Sequence, residues 1–415
     1  MKRMARAADI GARRAWLWQN RSRFISAGNR QLSRLFVDVS AIIRHDAQTG
    51  IQRVVRAVWS ELSKRNGDGF VAEPVFATTR QGFCLAPHDF LENQSRRLKG
   101  APVGLAPGDK FLGLDLSAHL LPKYRQQVRA WRKHGASVHV VVYDLLPLER
   151  PEWFTEAATS HFRKWIELLT TDVDNAICIS DQVAFQLADK LEGHAPRISR
   201  LHMGADMAAS RPSTGLSENV RSALQLMYER PTVLMVGTIE PRKGYDVALS
   251  AFEYLWQKDR PDTANLVIVG KSGWKTTSLQ SQLLSHPELG KRLRWLDCVT
   301  DEGLGLLYEA ARGILVTSRG EGFGLPLIEA ATHRRYVLAR DLAVFREQGL
   351  PNVLYFDDDS PAALARRLID LLQASAERPD AIDLLTWSES VDRLLVEIGV
   401  RRAIRSLDER SLCHA

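Results

Sequence analysis

An α/β protein with two similar parallel-sheet domains is the fold class that this sequence predicts. Apolar segments typical of buried strands alternate with amphipathic helices along most of the chain. The alternation is interrupted once, around residues 207–222, and then begins again. The 415 residues are ample for two domains that each bury a core. We therefore predict two Rossmann-like domains that face each other across a cleft.

The alternation also sets the predicted domain boundaries. They separate a basic N-terminal arm (1–34), an N-terminal domain (35–206), a linker (207–222), a C-terminal domain (223–395) and a C-terminal helix or tail (396–415). The linker is rich in Ser, Ala and Pro and lacks an apolar period, as is typical of interdomain segments.

In the first half, apolar runs predict strands over 34–43, 137–146 and 175–180. The run "SVHVVVYDLL" (137–146) is rich in β-branched residues, as a strand buried on both faces would be. A helix is expected over 51–65 because its apolar residues recur at helical spacing.

The second half repeats this pattern more clearly, and its loops that contain glycine follow predicted strands. Ligands of such sheets bind beyond the carboxyl ends of the strands, so these loops predict a binding cleft. The predicted strands are 232–237, 264–270, 293–299 and 313–318, and the predicted helices are 244–256 and 302–311.

The net charge of +7 belongs to the arm, because residues 1–34 contain nine Lys or Arg and one Asp and the rest sums to −1. A neutral body argues against nucleic-acid binding, which needs a basic face. Basic residues beside Trp16, Trp18 and Phe24 suit the surface of an anionic membrane. A disordered leader is the alternative interpretation of this arm.

Other global features favour a cytoplasmic location, on or near the membrane. Four scattered cysteines predict neither a disulfide framework nor a zinc site. The chain has no apolar run of about 18 residues, and its start lacks the apolar core of a secretion signal.

The segment "SRGEGFGLPLIEA" (318–330) carries the strongest chemical signal. Its glycines let the backbone pass close to a ligand, and a helix that starts near Pro326 offers free amides to a phosphate. Glu321 and Glu329 flank this turn, and carboxylates are good acceptors for the hydroxyls of a sugar or ribose. A helix start with favourable acids and no ligand is the alternative.

Three further loops could complete such a site. In "VGTIEPRKG" (236–244), Arg242 and Lys243 are placed for a diphosphate, although a solvated cation pair is the ordinary alternative. The loop "IVGKSGWK" (268–275) could line a base pocket, and "TGIQRV" (49–54) opens a helix with a glycine.

With these motifs the sequence resembles the nucleotide-sugar-dependent glycosyltransferases of family 4, which have the GT-B fold. The resemblance covers roughly residues 35–395, and its most specific piece is the Glu-x7-Glu signature, here "EGFGLPLIE". The motifs "VGTIEPRKG", "LVIVGKSGW", "LDCVTDEGLGLLYEAA" and "TWSESVDRLL" occur in the expected order.

The resemblance implies roles for individual residues. Glu321 lies against the donor sugar, Glu329 binds the ribose and Lys243 binds the diphosphate. The arginine of the family usually stands where this chain has Thr238, and we expect Arg242 to substitute for it. Glu321, Arg242 and Lys243 are the predicted catalytic residues. The other predicted donor-binding residues are Gly50, Gly237, Thr238, Lys271, Val299, Phe323, Gly324 and Leu325.

This sequence departs from the family pattern at the end of the strand over 137–142. Many relatives have His-Asp there, and this chain has Tyr143-Asp144. Either Tyr143 and Asp144, in the vicinity of sugar and acceptor, take over the contact with the sugar, or the site is tuned to a different acceptor, or Tyr143 only packs.

The resemblance implies retaining transfer from a nucleoside-diphosphate sugar to a glycan or lipid-linked glycan in bacterial polysaccharide biosynthesis, with the acceptor on the N-terminal domain. GDP-mannose is the favoured donor and dTDP-rhamnose the alternative. We expect neither a metal nor a cofactor, because the cations of the loop 236–244 make a metal unnecessary. The run Asp357-Asp358-Asp359 could be mistaken for an Asp-x-Asp metal site, and we interpret it as a solvated loop. An inactive carbohydrate-binding or scaffold protein stays open, whereas a dinucleotide-binding oxidoreductase is disfavoured because no Gly-x-Gly-x-x-Gly follows a strand.

Overall fold

The computed structural model describes residues 32–46, 49–92, 99–191, 196–206, 215–257, 264–375 and 377–401. Most of the predicted basic arm (1–34) and of the predicted tail (396–415) lies outside the described residues. The same holds for residues 207–214, at the start of the predicted linker.

The N-terminal half is built on a largely parallel sheet. Its strands among the described residues are β1 Ser33–Asp38, β2 Phe70–Phe76, β3 Cys84–Leu85, β4 Lys110–Gly113, β5 Ser137–Val142, β6 Asn175–Cys178 and β7 Arg197–Arg200. They lie in the order β3-β2-β1-β4-β5-β6-β7, and β3 pairs antiparallel with β2 while the other pairs are parallel. The helices of this half are α1 Gly50–Lys64, α2 Arg125–Lys133, α3 Leu146–Glu149, α4 Glu156–Asp172 and α5 Asp181–Lys190.

The C-terminal half contains a second, fully parallel sheet. Within the described ranges its strands are β8 Thr232–Val236, β9 Asn265–Val269, β10 Leu293–Leu296, β11 Gly313–Val316, β12 Val337–Arg340 and β13 Val353–Phe356. They lie in the order β10-β9-β8-β11-β12-β13. The helices of this half are α6 Glu218–Glu229, α7 Tyr245–Gln257, α8 Thr277–Leu284, α9 Asp301–Ala310, α10 Leu325–Thr332, α11 Ala343–Arg346, α12 Pro361–Ala374 and α13 Trp387–Glu397.

The first strand is shorter than the sequence predicts. The prediction extended it over 34–43, but β1 ends at Asp38 and the chain turns over the next residues. The buried carboxylate of Asp38 causes this turn, since it accepts hydrogen bonds from the backbone N–H of Ser40 at 2.9 Å and from its hydroxyl. Apolar residues after Asp38, such as Ile42, are buried in the turn and not in the sheet.

Helix α1 has a well-defined start, which matters because its first turn faces the cleft described below. Thr49 and Gln52 form a capping box, in which each side chain pairs with the backbone N–H of the other residue. The cap fixes Gly50 as the first helical residue and places Arg53 one turn later.

The last described helix, α13, returns to the N-terminal half and packs on α1. Its start is held by Asp206, whose carboxylate accepts a hydrogen bond from Trp387 N–H at 2.6 Å, and by a second capping box between Thr386 and Glu389. The predicted boundary at 395 therefore falls inside a helix that contacts both halves. At the other end of the predicted C-terminal domain, α6 begins at Glu218, inside the predicted linker.

Apolar packing continues between the two halves around α13. One buried cluster contains Val55 and Leu201 from the first half together with Leu327 and Trp387 from the second. Gly204 makes this contact possible, because a Cβ at that position would lie 2.5 Å from the backbone nitrogen of Trp387.

None of the helices that the structure describes is both long enough and apolar enough to cross a membrane.

The close contact at Gly204 predicts the effect of adding one methyl group there. Gly204→Ala should lower the Tm by about 5 °C, because overpacking against a backbone costs about 1–3 kcal/mol. Gly305→Ala in α9 is the matched control, since its new Cβ would meet its nearest neighbour, His333, at 3.7 Å. Thermal unfolding should show no loss, or a small gain, for the control. Equal Tm values for the two variants would contradict this packing of α13.

Candidate functional site

A cleft with a volume of about 350 Å³ lies between the two halves, in the size range of ligand pockets. Both sheets contribute to it through the loops that follow their strands. All fourteen residues that the sequence predicts as site residues line this cleft. They are Gly50, Tyr143, Asp144, Gly237, Thr238, Arg242, Lys243, Lys271, Val299, Glu321, Phe323, Gly324, Leu325 and Glu329.

A cluster of ion pairs occupies the floor of the C-terminal side. The carboxylate of Glu321 accepts hydrogen bonds from Lys243 Nζ at 2.5 Å and from Arg242 Nη1 at 2.7 Å. The Nε of Arg242 also donates to Glu240 Oε2 at 2.8 Å, and the hydroxyl of Ser318 donates to Glu321 Oε1 at 2.7 Å. The cations that the sequence assigns to a diphosphate are thus already held in place by carboxylates.

The pKa values of this cluster follow its geometry. Burial alone would raise the pKa of Glu321, but the charges of Lys243 and Arg242 and their hydrogen bonds lower it to about 2. Burial would lower the pKa of Arg242, and the charges of Glu321, Glu240 and Asp144 raise it instead. Glu321 and Arg242 are therefore both charged at neutral pH.

Local backbone geometry presents the two cations to the cleft. Arg242 and Lys243 lie in a short 3-10 turn, Pro241–Lys243, after β8. The turn ends at Gly244, which has a left-handed φ of +66°. A Cβ at this position would lie 2.3 Å from the carbonyl oxygen of Thr317, so both the backbone conformation and the space require glycine. The hydroxyl of Thr317 donates to the carbonyls of Lys243 and Gly244, each at 2.9 Å. The end of β11 therefore fixes the turn after β8.

The glycine loop has a different use from the one predicted. We expected Gly320, Gly322 and Gly324 to let the backbone approach a ligand. A Cβ on Gly322 would lie 1.8 Å from the carbonyl oxygen of Tyr143, and one on Gly320 would lie 2.9 Å from Leu146 and Trp153. Gly320 and Gly322 thus allow residues of the N-terminal half to pack directly against this loop. Gly324 has a different role, since it adopts a left-handed φ of +104° at the start of α10.

Glu329 is held from both halves of the molecule. Its Oε1 lies 2.6 Å from Arg53 Nη1 of α1, and its Oε2 accepts a hydrogen bond from Tyr308 Oη of α9 at 2.7 Å. Asp301 also lines the cleft and attracts Arg53 electrostatically. The sequence reasoning missed Arg53, Tyr308 and Asp301. The signal for Arg53 was its position one helical turn after Gly50, on the same face of the helix.

The structure favours the packing interpretation of Tyr143. Its side chain is buried, and its hydroxyl donates to Leu114 O at 2.7 Å. Asp144 lines the cleft beside the ion cluster; burial raises its pKa, as do Glu321 and Glu240, whereas Arg242 opposes the rise. Asp144 is thus the better placed of the two residues to meet a ligand.

The rim of the cleft is closed by contacts between the halves. Trp274 Nε1 donates to Trp153 O at 2.7 Å, and the Trp274 ring lies 5.9 Å from that of Phe154. Lys275 Nζ donates to Glu152 O at 2.8 Å. Trp274 therefore lines the cleft as the sequence suggests, and it also joins the two halves.

Comparison with known proteins identifies relatives of both the sequence and the fold. Residues 217–383 match the family described as "Glycosyl transferases group 1". The chain is 39% identical over 388 residues to the serotype-specific mannosyltransferase WbdA of Escherichia coli. That match covers 90% of this chain and 47% of WbdA, so the chain spans about half the length of this relative.

Two solved structures share the architecture. HepE of Anabaena, in complex with UDP and glucose, superimposes with a TM-score of 0.59 and 14% identity, over 89% of this chain and 99% of HepE. Sucrose-phosphate synthase of Thermosynechococcus elongatus superimposes with a TM-score of 0.56 and 18% identity, over 88% of this chain and 94% of the synthase. These matches confirm the predicted GT-B fold.

The lowered pKa of Glu321 predicts a pH-dependent contribution to stability. A depressed carboxyl pKa stabilises the fold above the ordinary value of 4.5, and this stabilisation is lost as the pH falls toward 2. Glu321→Gln should therefore cost about 3 kcal/mol at pH 7, as breaking a buried ion pair does. The difference from wild type should shrink below pH 4.5 in thermal unfolding.

Glu397→Gln serves as the control, since it removes a carboxylate from a surface pair with Arg197. Its effect should stay below about 1 kcal/mol at every pH. An undiminished Glu321→Gln effect at pH 3 would contradict the assigned electrostatics.

Proposed function

We propose that this chain is a mannosyltransferase of the glycosyl transferases group 1 family, whose model matches residues 217–383. It transfers mannose from GDP-mannose to a hydroxyl of a glycan or lipid-linked glycan in bacterial polysaccharide biosynthesis, with retention of the anomeric configuration. The observation that carries the proposal is the convergence of the predicted donor-binding residues of both halves on one cleft.

The choice of mannose rests on the similarity to WbdA, which extends over both halves of the chain. The N-terminal half is therefore included in the match, and this half carries Gly50 and Asp144 on its side of the cleft. A donor bound against the C-terminal sheet would face an acceptor on the N-terminal sheet.

In the proposed mechanism, the bond between the anomeric carbon and the diphosphate oxygen breaks, and the bonding electrons leave with the diphosphate. Arg242 and Lys243 stabilise this growing negative charge, with the amides at the start of α10 beside them. Because Glu321, Glu240 and Gly244 already fix these cations, little reorganisation is needed as the bond breaks.

Retention requires the acceptor hydroxyl to approach the face that the diphosphate leaves. A new bond then forms between the anomeric carbon and the acceptor oxygen, and the hydroxyl proton passes to the departing diphosphate. Glu321 lies against the donor sugar in this scheme. No step needs a metal ion, because the two cations take the place of one, and metal independence is part of the proposal.

The proposal predicts the effect of removing the leaving-group cation. Lys243→Ala should lower the rate of mannosyl transfer from labelled GDP-mannose by about 10²-fold or more, because one charge that stabilises the leaving group is lost. Transfer to a mannose-containing oligosaccharide is the measurement, with NMR of the product for the anomer and added EDTA for the metal question.

Lys291→Ala is the matched control, since Lys291 is an exposed lysine away from the cleft. It should transfer mannose at the wild-type rate. A wild-type rate for Lys243→Ala would refute its role, and loss of activity with EDTA would refute metal independence. Transfer from dTDP-rhamnose alone would establish the rhamnosyl alternative, and neither binding nor turnover of any sugar nucleotide would favour an inactive scaffold.

A further part of the proposal concerns the basic arm, residues 1–34, which has a net charge of +8 and contains several aromatic residues. We propose that it attaches the protein to the anionic inner face of the cytoplasmic membrane, where lipid-linked acceptors lie.

Deletion of residues 1–30 should therefore abolish co-sedimentation with vesicles that contain phosphatidylglycerol, while transfer to a soluble oligosaccharide persists. Neutral phosphatidylcholine vesicles are the control and should bind neither protein. Sedimentation of the truncated protein with the anionic vesicles would contradict this role of the arm.

A further inference from the structure

Arg53 reaches across the cleft from the N-terminal half to a carboxylate of the C-terminal half. Its Nη1 lies 2.6 Å from Glu329 Oε1, and the two side chains are 25% and 6% exposed. Burial would lower the pKa of Arg53, but the charges of Glu329 and Asp301 raise it. The guanidinium is thus attracted by two carboxylates of the C-terminal half, those of Glu329 and Asp301.

Glu329 has a second, fixed partner within its own half. Tyr308 Oη donates to Oε2 at 2.7 Å, and the Tyr308 ring stacks on His333 with 5.3 Å between centroids and 2° between planes. Tyr308 therefore holds one carboxylate oxygen whatever the position of the N-terminal half. Only the partner of Oε1 depends on how the two halves are placed.

The first turn of α1 is brought to Glu329 by direct packing of the two halves. A Cβ on Gly50 would lie 3.3 Å from Leu325 Cδ1, so the start of α1 abuts the start of α10. Arg53 follows Gly50 by one turn and Glu329 follows Leu325 by one turn. The contact between the two helix starts thus places the ion pair.

A buried ion pair of this kind is a poor source of stability, because desolvation offsets much of the attraction. It does fix the orientation of the carboxylate. A carboxylate oxygen accepts hydrogen bonds from hydroxyls, and a carboxylate whose orientation is already fixed needs little reorganisation to do so. The pair therefore suits a role in presenting Glu329 to a ligand.

From this geometry we infer that Arg53 is a positioning residue that holds Glu329 for the ribose hydroxyls of the donor nucleotide, so that ribose recognition depends on contact between the two halves. This inference rests on the proposed function, in which Glu329 accepts from the ribose. It assigns to the N-terminal half a part in selecting the nucleotide.

The test compares nucleotides that differ only in the ribose. GDP and 2′,3′-dideoxy-GDP are titrated by calorimetry into wild type, Arg53→Gln and Arg53→Lys, and the same is done with UDP and its dideoxy form. Wild type should prefer the ribose form at least about 10-fold, since hydrogen bonds to a charged group contribute about 1.5–3 kcal/mol. Arg53→Gln should lose most of this preference with little change in dideoxynucleotide affinity, and Arg53→Lys should lie between them.

Arg65→Gln is the matched control, because Arg65 also lies on α1 and pairs with Asp392 of α13 at 3.1 Å, outside the cleft. It should keep the wild-type preference even where its Tm falls. Should Arg53→Gln retain that preference, or lose affinity for both forms equally, the positioning role is overturned while the proposed function stands. Absence of any ribose preference in wild type, with either base, would overturn both the inference and the proposed role of Glu329.

Discussion

The carboxylate of Glu321, shared between Arg242 and Lys243, is the interaction on which the cleft depends. It joins the turn after β8 to the loop after β11, so that the ends of two paired strands become one rigid floor. Glu240 completes the charge balance around Arg242. An anionic ligand that enters the cleft meets cations that Glu321 already holds in place. Electrostatic preorganisation requires this arrangement.

The loop that carries Glu321 is also the place where the two halves meet at backbone level. Gly322 lies against Tyr143 O so closely that no side chain fits between them. This contact explains why Tyr143 is buried and why Asp144, the next residue, reaches the ion cluster. The family resemblance predicts a histidine at this position, and Tyr143 instead donates its hydroxyl to Leu114 O, toward the core.

Sequence patterns predicted the cleft and the strands β1, β5, β6 and β8–β11, because these depend on local order, but they named no strand at β2, β4, β7, β12 or β13. Strands in a parallel sheet end on one side, so the loops around Arg242, Lys271 and Glu321 had to converge. The patterns predicted the ends of strands less accurately. The first strand, for example, ends at Asp38, because the buried carboxylate of this residue stabilises a turn. They did not reveal the pairing of Arg53 with Glu329 or the return of α13. Both are contacts between distant segments that depend on how two separately folded sheets are placed, and no local periodicity records that placement.

The return of α13 has a mechanical consequence. The described part of the N-terminal half ends at Asp206, and Trp387, at the start of α13, donates its N–H to the carboxylate of that residue. Neither half is therefore an exchangeable module, because removal of the C-terminal half would also remove α13, which is bound to Asp206 and packed over Gly204 of the N-terminal half.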